Sequence, residues 1–172
     1  MYLEEIKSIV QNNFLSSFYV TGVVLPPETE SELAEFVPYR SYLFLEFGVN
    51  LIKIEAIEQY SKLSISITPT FKVRVEVENA IPTKSNISDI IFDNSLIDNK
   101  VSQMEMFNIQ ITNEEIICDA LRLSLTSSTN KQELFLDPQF FGINIGGSGV
   151  EELWKNSQLE GYKSKSTTIN FK

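Results

Sequence analysis

The sequence predicts an α+β domain made mostly of antiparallel β-sheet, either a sandwich or a strongly curved sheet. Several short segments alternate apolar and polar residues, which is typical of strands with one face on a core and the other in solvent. Apolar residues at helical spacing occur mainly at the N-terminus and in a short segment near the C-terminus. The length of 172 residues fits a single domain over residues 1–172.

Two helices are predicted at the ends of the chain, and a short turn of helix between them. Apolar residues recur at helical spacing over residues 3–14, and a shorter helical turn is predicted around residues 87–92. Near the C-terminus Ser148 is predicted to be a helix N-cap, with Glu151 three residues later completing a capping box. The apolar side of that helix is predicted to consist of Val150, Leu153 and Trp154.

The clearest predicted hairpin has one alternating arm on each side of Pro69. Residues 63–67 alternate apolar side chains with hydroxyl groups, and residues 71–77 alternate them with charged side chains. Because proline has no backbone N–H, the strand that begins at Glu133 is predicted to end before Pro138. The other predicted strands are residues 18–25, 42–47, 51–57, 104–111 and 116–126, and residues 167–171 either add an edge strand or fray.

The residue content excludes several kinds of chemistry. There is no histidine and only one cysteine, so Ser-His-Asp and Cys-His arrangements and imidazole metal ligands are excluded. A neighbouring carboxylate raises a thiol pKa, and Asp119 follows Cys118, so a buried and unreactive cysteine is predicted. The glycines near Ser148 do not make a phosphate loop, because the Walker pattern needs lysine at that position. No cofactor and no metal site is predicted.

The charge balance restricts the partners. The net charge is −9, from 14 basic and 23 acidic side chains, and acidic residues exceed basic ones in both halves of the chain. Binding to nucleic acid or to an anionic membrane surface is therefore not expected, because like charges repel. The first residues lack the apolar segment of a secretory signal, and no run approaches the roughly 20 apolar residues of a spanning helix. Together with the single cysteine, this predicts a cytoplasmic protein.

An acidic surface favours a basic protein partner, because complementary charge speeds encounter. Carboxylates are concentrated in two stretches, residues 28–35 and residues 89–98. The aspartates of the second stretch do not follow the calcium-loop spacing and lack its central glycine, so a solvated acidic loop is predicted instead of a metal site. The predicted partner-binding residues are Glu28, Glu30, Glu32, Glu35, Asp89, Asp93 and Asp98.

In size, acidity and lack of catalytic equipment the chain is similar, in general character, to the immunity proteins that bacteria keep against toxins. The likeness covers no motif. It implies a non-catalytic binding module that neutralises a basic toxin. Two alternatives stay open: an accessory subunit that docks through a strand edge or an aromatic turn, and a hydrolase with two carboxyl groups about 5 to 10 Å apart.

The segment from Asp137 onward leaves one more question open. Asp137 is the best single candidate for a functional acid, although capping a neighbouring turn explains it equally well. Phe140, Phe141 and Trp154 either line a ligand groove or anchor other elements to a sheet. Core packing is predicted for Trp154 and for one of the two phenylalanines.

Overall fold

Two antiparallel β-sheets face each other in the computed structural model, which describes residues 2–72, 78–92, 99–128 and 130–172. The predicted α+β class is confirmed, with a helix at the N-terminus and a short helix near the C-terminus. Within the described residues the helices are α1 (Tyr2–Asn12), α2 (Ser88–Ile91) and α3 (Ser148–Ser157). The strands are β1 (Leu15–Leu25), β2 (Glu35–Phe47), β3 (Asn50–Ile57), β4 (Lys62–Thr68), β5 (Ile81–Asn86), β6 (Lys100–Phe107), β7 (Gln110–Ile111), β8 (Ile116–Cys118), β9 (Ala120–Thr126), β10 (Lys131–Gln139), β11 (Gly142–Gly146) and β12 (Ser166–Asn170).

The two sheets enclose a shared apolar core. The larger sheet has the strand order β5-β1-β2-β3-β4-β8-β7, and the smaller has the order β11-β10-β9-β6-β12. Helix α1 buries Ile6 and Val10 in the same core, which confirms the amphipathic helix predicted there. Core residues from the larger sheet include Phe18, Leu43, Ile54 and Leu63, and those from the smaller sheet include Leu121, Leu123, Leu134 and Leu136.

One long hairpin crosses from one sheet to the other. Strands β6 and β9 belong to the smaller sheet, and the strands that continue them, β7 and β8, belong to the larger one. The prediction of unbroken strands over residues 104–111 and 116–126 is therefore wrong. At the first junction Asn108 has a φ of +54°, a left-handed conformation that asparagine tolerates. At the second, Asp119 donates its backbone N–H to the carbonyl oxygen of Phe107 over 2.8 Å, which holds the two junctions together.

Strand β2 is longer than predicted, because it continues on the far side of a bulge in its middle. Val20 pairs with Leu43, but the next residue of β1, Thr21, pairs with Tyr39, so residues 40–42 bulge out of the ladder. The Thr21 hydroxyl donates to the Tyr39 carbonyl oxygen over 2.8 Å and fixes the bulge. Beyond this point β1, β2 and β5 continue as a three-stranded extension of the larger sheet.

Several local predictions are confirmed. Strands β3 and β4 form where the apolar pattern predicts them, β12 forms the predicted edge strand, and α2 forms within residues 87–92. The second arm of the hairpin predicted around Pro69 falls mostly on residues 73–77, which lie outside the described ranges.

Strand β10 continues through Pro138 to Gln139, so the predicted end before Pro138 is wrong. The ladder between β10 and β9 ends at Leu136, and opposite Pro138 only Ile143 of β11 is paired. A proline is tolerated at such a position because the strand has lost one of its two neighbours.

The capping box predicted for α3 is also wrong. Ser148 is the first helical residue, the N-cap is Gly147, and no side chain caps the helix. Glu151 does not reach back to the cap, because its carboxylate forms an ion pair with Arg122 of β9 instead. This ion pair fastens α3 to the outer face of the smaller sheet.

Candidate protein-binding surface

Four of the predicted partner-binding residues lie together where β1 ends and β2 begins. The segment between these strands, residues 26–34, has neither helix nor strand and is called the acidic loop. Its carboxylates are exposed, and the ion pairs found among the described residues do not engage them. Their negative charge is therefore directed to solvent. These residues are Glu28, Glu30 and Glu32 in the acidic loop and Glu35 at the start of β2.

The acidic loop is attached to the three-stranded extension, which we call the overhang. Val24 pairs with Phe36 on one side and with Ile81 on the other, so these three side chains share one face. Phe18 and Val20, which point into the core, lie on the same face of β1. The overhang therefore continues the core-facing side of the larger sheet past the core. It comprises residues 22–25, 35–38 and 81–83.

This face of the overhang is apolar and open to solvent. Phe36 is 46% exposed and Ile81 is 58% exposed, while Leu33 of the acidic loop is almost fully exposed. The ring of Phe36 lies across Gly22, where an added Cβ would be 2.4 Å from a ring carbon. Single exposed apolar residues are common, but a continuous apolar face next to charged residues is a candidate for an interaction site.

A pair of exposed aromatic rings lies in the turn between β10 and β11. Phe140 is 74% exposed and Phe141 is 81% exposed, with ring centroids 5.1 Å apart and ring planes at 83°. The expectation that one of them packs in the core is wrong, because Gln139 pairs with Gly142 and leaves both phenylalanines at the tip of a two-residue turn. We call Phe140 and Phe141 the aromatic turn.

A third ring approaches the aromatic turn from the other sheet. Tyr60, in the turn between β3 and β4, has its ring centroid 6.2 Å from that of Phe140, at an interplanar angle of 69°. Tyr60 and the two residues before it, Glu58 and Gln59, all have positive φ, a conformation that costs about 1 kcal/mol or more for each residue that is not glycine. This turn holds the Tyr60 ring beside Phe140.

The overhang and the aromatic turn are neighbours at the same end of the sandwich. Gly142, directly after the aromatic turn, packs against Arg40 in the β2 bulge, and an added Cβ would be 2.6 Å from the Arg40 Cβ. Gly142 also has a φ of +107°, so both the contact and the backbone require glycine. Pro38 of the overhang is two residues from Arg40, about 7 Å along the strand.

The second predicted acidic stretch is distant from the first. Asp89 is exposed in α2, whereas Asp93 and Asp98 lie outside the described residues. Helix α2 adjoins the beginning of β1, where Ser88 Oγ accepts a hydrogen bond from the Phe18 N–H over 2.8 Å. The acidic loop follows the other end of β1, so the strand separates Asp89 from Glu28 by about 25 Å.

Trp154 is buried, as predicted, but on the outer side of the smaller sheet. It packs against Phe107 and Phe135 with ring centroids 4.8 Å and 5.6 Å away, and so anchors α3 to that sheet. Leu153 is exposed, so its predicted place on the apolar side of α3 is wrong. Trp154 therefore belongs to a small core of its own rather than to a ligand groove.

Asp137 is 1% exposed, and its two carboxylate oxygens differ in their hydrogen bonding. Oδ2 accepts a hydrogen bond from Gln139 Nε2 over 2.8 Å, whereas Oδ1 has no partner. Burial raises the pKa of Asp137, and the hydrogen bond from Gln139 offsets this only in part. Because no solvent reaches it, Asp137 is enclosed by the fold and does not contact the candidate surface.

Two grooves, of about 290 Å³ and 410 Å³, lie along the smaller sheet, and both are lined by Leu125, Gln132 and Glu133. Neither is lined by Asp137, the aromatic turn or Trp154. Each of these two grooves contains one carboxylate, that of Glu133, whereas a glycosidase needs two. The hydrolase alternative therefore gains no support from them.

Other titratable side chains form ion pairs within the chain or are buried. Arg122 pairs with Glu105 over 2.7 Å and with Glu151, and Glu151 also pairs with Lys155 over 2.5 Å. Burial alone would raise the pKa of Glu151, but the hydrogen bonds from Lys155 and Arg122 outweigh it and lower that pKa. Cys118 is buried, as predicted, and burial, with a smaller contribution from the neighbouring carboxylate, raises its pKa to about 12.

Over residues 2–72, 78–92, 99–128 and 130–172, no three acidic or cysteine side chains are grouped so as to hold a metal ion. No helix in these ranges has the length and apolar character needed to cross a membrane. Comparisons of the chain with known protein families, with curated proteins and with solved structures find no match.

The sequence alone does not identify the apolar part of this surface. Ile81 lies in β5, which is an edge strand among the described residues; its residues are mostly exposed and show no alternating pattern. Phe36 gave the one available signal, since it is an aromatic residue directly after Glu35 in an acidic stretch. The alignment of Val24 with both depends on strand pairing between residues far apart in the chain.

Proposed function

We propose that this protein is a non-catalytic binding module of the cytoplasm, which binds a basic protein through the acidic loop and the overhang. The observation that carries the proposal is the position of an open apolar face, Val24, Phe36 and Ile81, beside four exposed carboxylates. Protein interfaces combine such an apolar centre with a polar rim. The carboxylates then attract a basic partner, and the apolar face holds it once docked.

Neutralisation of a basic toxin is the role that fits best. The proposed partner is basic, the net charge of this chain is −9, and the general character of the chain is similar to that of immunity proteins. A partner covered by the overhang would have its own basic surface masked. Masking requires no catalytic group in the module itself.

The first test uses a defined basic probe, a fluorescein-labelled peptide of twelve residues that alternates arginine and leucine. An extended peptide of this pattern places leucines on one side and arginines on the other. We expect the wild-type protein to bind it more tightly than a charge-matched arginine–serine peptide, because only leucine can cover the overhang. Fluorescence anisotropy at increasing salt measures both affinities.

The matching variant replaces Glu28, Glu30 and Glu32 with glutamine. We expect the affinity to fall roughly fivefold or more at low salt, since each lost surface charge pair contributes a few tenths to 1 kcal/mol. The control variant, Glu114→Gln with Glu152→Gln and Glu160→Gln, removes the same charge from exposed sites elsewhere and should bind like wild type. Equal weakening in both variants, or equal affinity for both peptides, would contradict the proposal.

An accessory subunit is the second candidate, and the position of β12 favours it. Within the described residues β12 pairs only with β6 and forms an edge of the smaller sheet. A partner that adds a strand there would protect the backbone amides of residues 166–170 from hydrogen exchange. Protection of residues 24–38 with no change at 166–170 would exclude this second candidate.

A further inference from the structure

We infer that the aromatic turn binds an arginine or lysine side chain of the basic partner, with the cation held against the ring faces of Phe140 and Phe141. The inference rests on the proposed function and adds to it a second contact, outside the acidic loop and the overhang. It assigns to these two residues the role of anchors for a cationic side chain.

The ring geometry suits a cation. An aromatic ring is negative on its face, so a cation within about 6 Å of its centroid is attracted. The two phenylalanine rings are nearly perpendicular, and each is more than 70% exposed, with Tyr60 beside Phe140 as a third ring. Because neighbouring rings are steeply inclined to one another, their faces point in different directions.

The protein itself covers other rings with lysine. Lys84 Nζ lies 4.5 Å from the ring centroid of Tyr19, and Lys53 Nζ lies 5.7 Å from that of Tyr42. Among the described residues no such cation lies over Phe140 or Phe141. The faces of the most exposed aromatic pair are therefore free for a cation from another molecule.

A basic residue, Arg40, approaches this turn with its backbone and Cβ, which pack on Gly142. Its guanidinium group is not among the cations that lie over an aromatic ring in the described residues.

One extended segment of a partner is long enough to reach both the aromatic turn and the acidic loop. Glu35, where the acidic loop joins β2, is five residues from Arg40, about 17 Å along the strand. An extended chain covers this distance in about six residues. A basic segment of this length that lies on the overhang therefore spans the distance from the acidic loop to the aromatic turn.

The test separates a cationic contact from simple apolar packing. The double variant Phe140→Leu with Phe141→Leu keeps apolar side chains but removes the ring faces, and Phe140→Trp with Phe141→Trp gives stronger ring faces. With the arginine–leucine peptide as probe, we expect the leucine variant to bind roughly fivefold more weakly and the tryptophan variant more tightly than wild type. Both sites are exposed turn positions, so unchanged melting temperatures verify that the variants fold.

The outcomes distinguish this inference from the proposed function. If the leucine variant binds like wild type while the variant at Glu28, Glu30 and Glu32 is weakened, the inference fails and the proposed function stands. If the wild-type protein does not bind the peptide, both fail. Because the rings carry no net charge, the salt dependence of binding should stay the same in the leucine and tryptophan variants, and a changed salt dependence would also contradict the inference.

Discussion

Asp137 is buried on the face of β10 that also carries Phe135, and its Oδ1 atom has no hydrogen-bond partner. An ionised carboxylate in such a place loses its hydration, and one hydrogen bond from Gln139 replaces only part of it. The raised pKa of Asp137 is the consequence. This residue therefore influences how the stability of the fold depends on pH.

The sign of that dependence follows from the direction of the shift. With its pKa raised in the folded state, Asp137 holds its proton more strongly in the folded chain than in the unfolded one. Its contribution to stability is greatest below the unfolded pKa of about 3.9. It decreases as pH rises from there through the folded pKa.

Asp137→Asn removes this titration while keeping the shape of the side chain. We expect the free energy of unfolding of the variant, relative to wild type, to increase by about 1 kcal/mol between pH 4 and pH 7. Urea unfolding at several pH values measures it. Glu160→Gln, at an exposed site, is the control and should show no such trend, and a flat difference for Asp137→Asn would refute the assignment.

At the scale of elements, α3 is held to the smaller sheet by two kinds of contact. Trp154 packs on Phe107 and Phe135, and Arg122 of β9 lies between Glu105 and Glu151. With its pKa lowered in the folded state, Glu151 stabilises the fold above its unfolded pKa, and this contribution is lost as pH falls through its folded pKa. We therefore expect the docking of α3 to weaken at acidic pH.

Arg122→Met tests this docking, because it leaves two acidic side chains without their shared cation. We expect a loss of about 2 kcal/mol in the free energy of unfolding and a red-shifted emission of Trp154, the only tryptophan in the chain. Lys155→Met removes the more exposed partner of Glu151 and should cost well under 1 kcal/mol. Similar losses in the two variants would show that Arg122 has no special role.

Local sequence patterns predict those elements whose own residues alternate against the core. The alternation of Leu63, Ile65 and Ile67 predicts β4, and helical spacing predicts α1. Edge strand β5 escapes prediction because its residues are exposed on both faces, so no burial pattern marks it. The change of sheet at Asn108 and the engagement of Glu151 by Arg122 depend on residues distant in the chain, which local periodicity does not report.

The same limit applies to the candidate surface. The exposure of carboxylates such as Glu28 can be predicted from the sequence alone, because charged side chains are rarely buried. The apolar half of the surface can be identified only from the strand pairing that places Phe36, Val24 and Ile81 side by side. The exposure of Phe140 and Phe141 likewise depends on the register that pairs Gln139 with Gly142.

At the scale of the whole molecule, the two ends of β1 differ in character. The end near α2 carries Asp89 and continues into the shared core, whereas the other end carries the acidic loop, the overhang and the aromatic turn. At this second end, exposed carboxylates lie beside a set of exposed apolar side chains. A basic partner is expected to dock there rather than on either broad face of the sandwich.

The most direct test of that docking position is a residue-by-residue map of the contact by nuclear magnetic resonance. Titration of the isotope-labelled protein with the arginine–leucine peptide should shift the backbone resonances of residues 22–38, 81–83 and 140–142, and leave those of β12 and α3 in place. Shifts centred on β12, or spread evenly over the surface, would contradict binding through the acidic loop and the overhang.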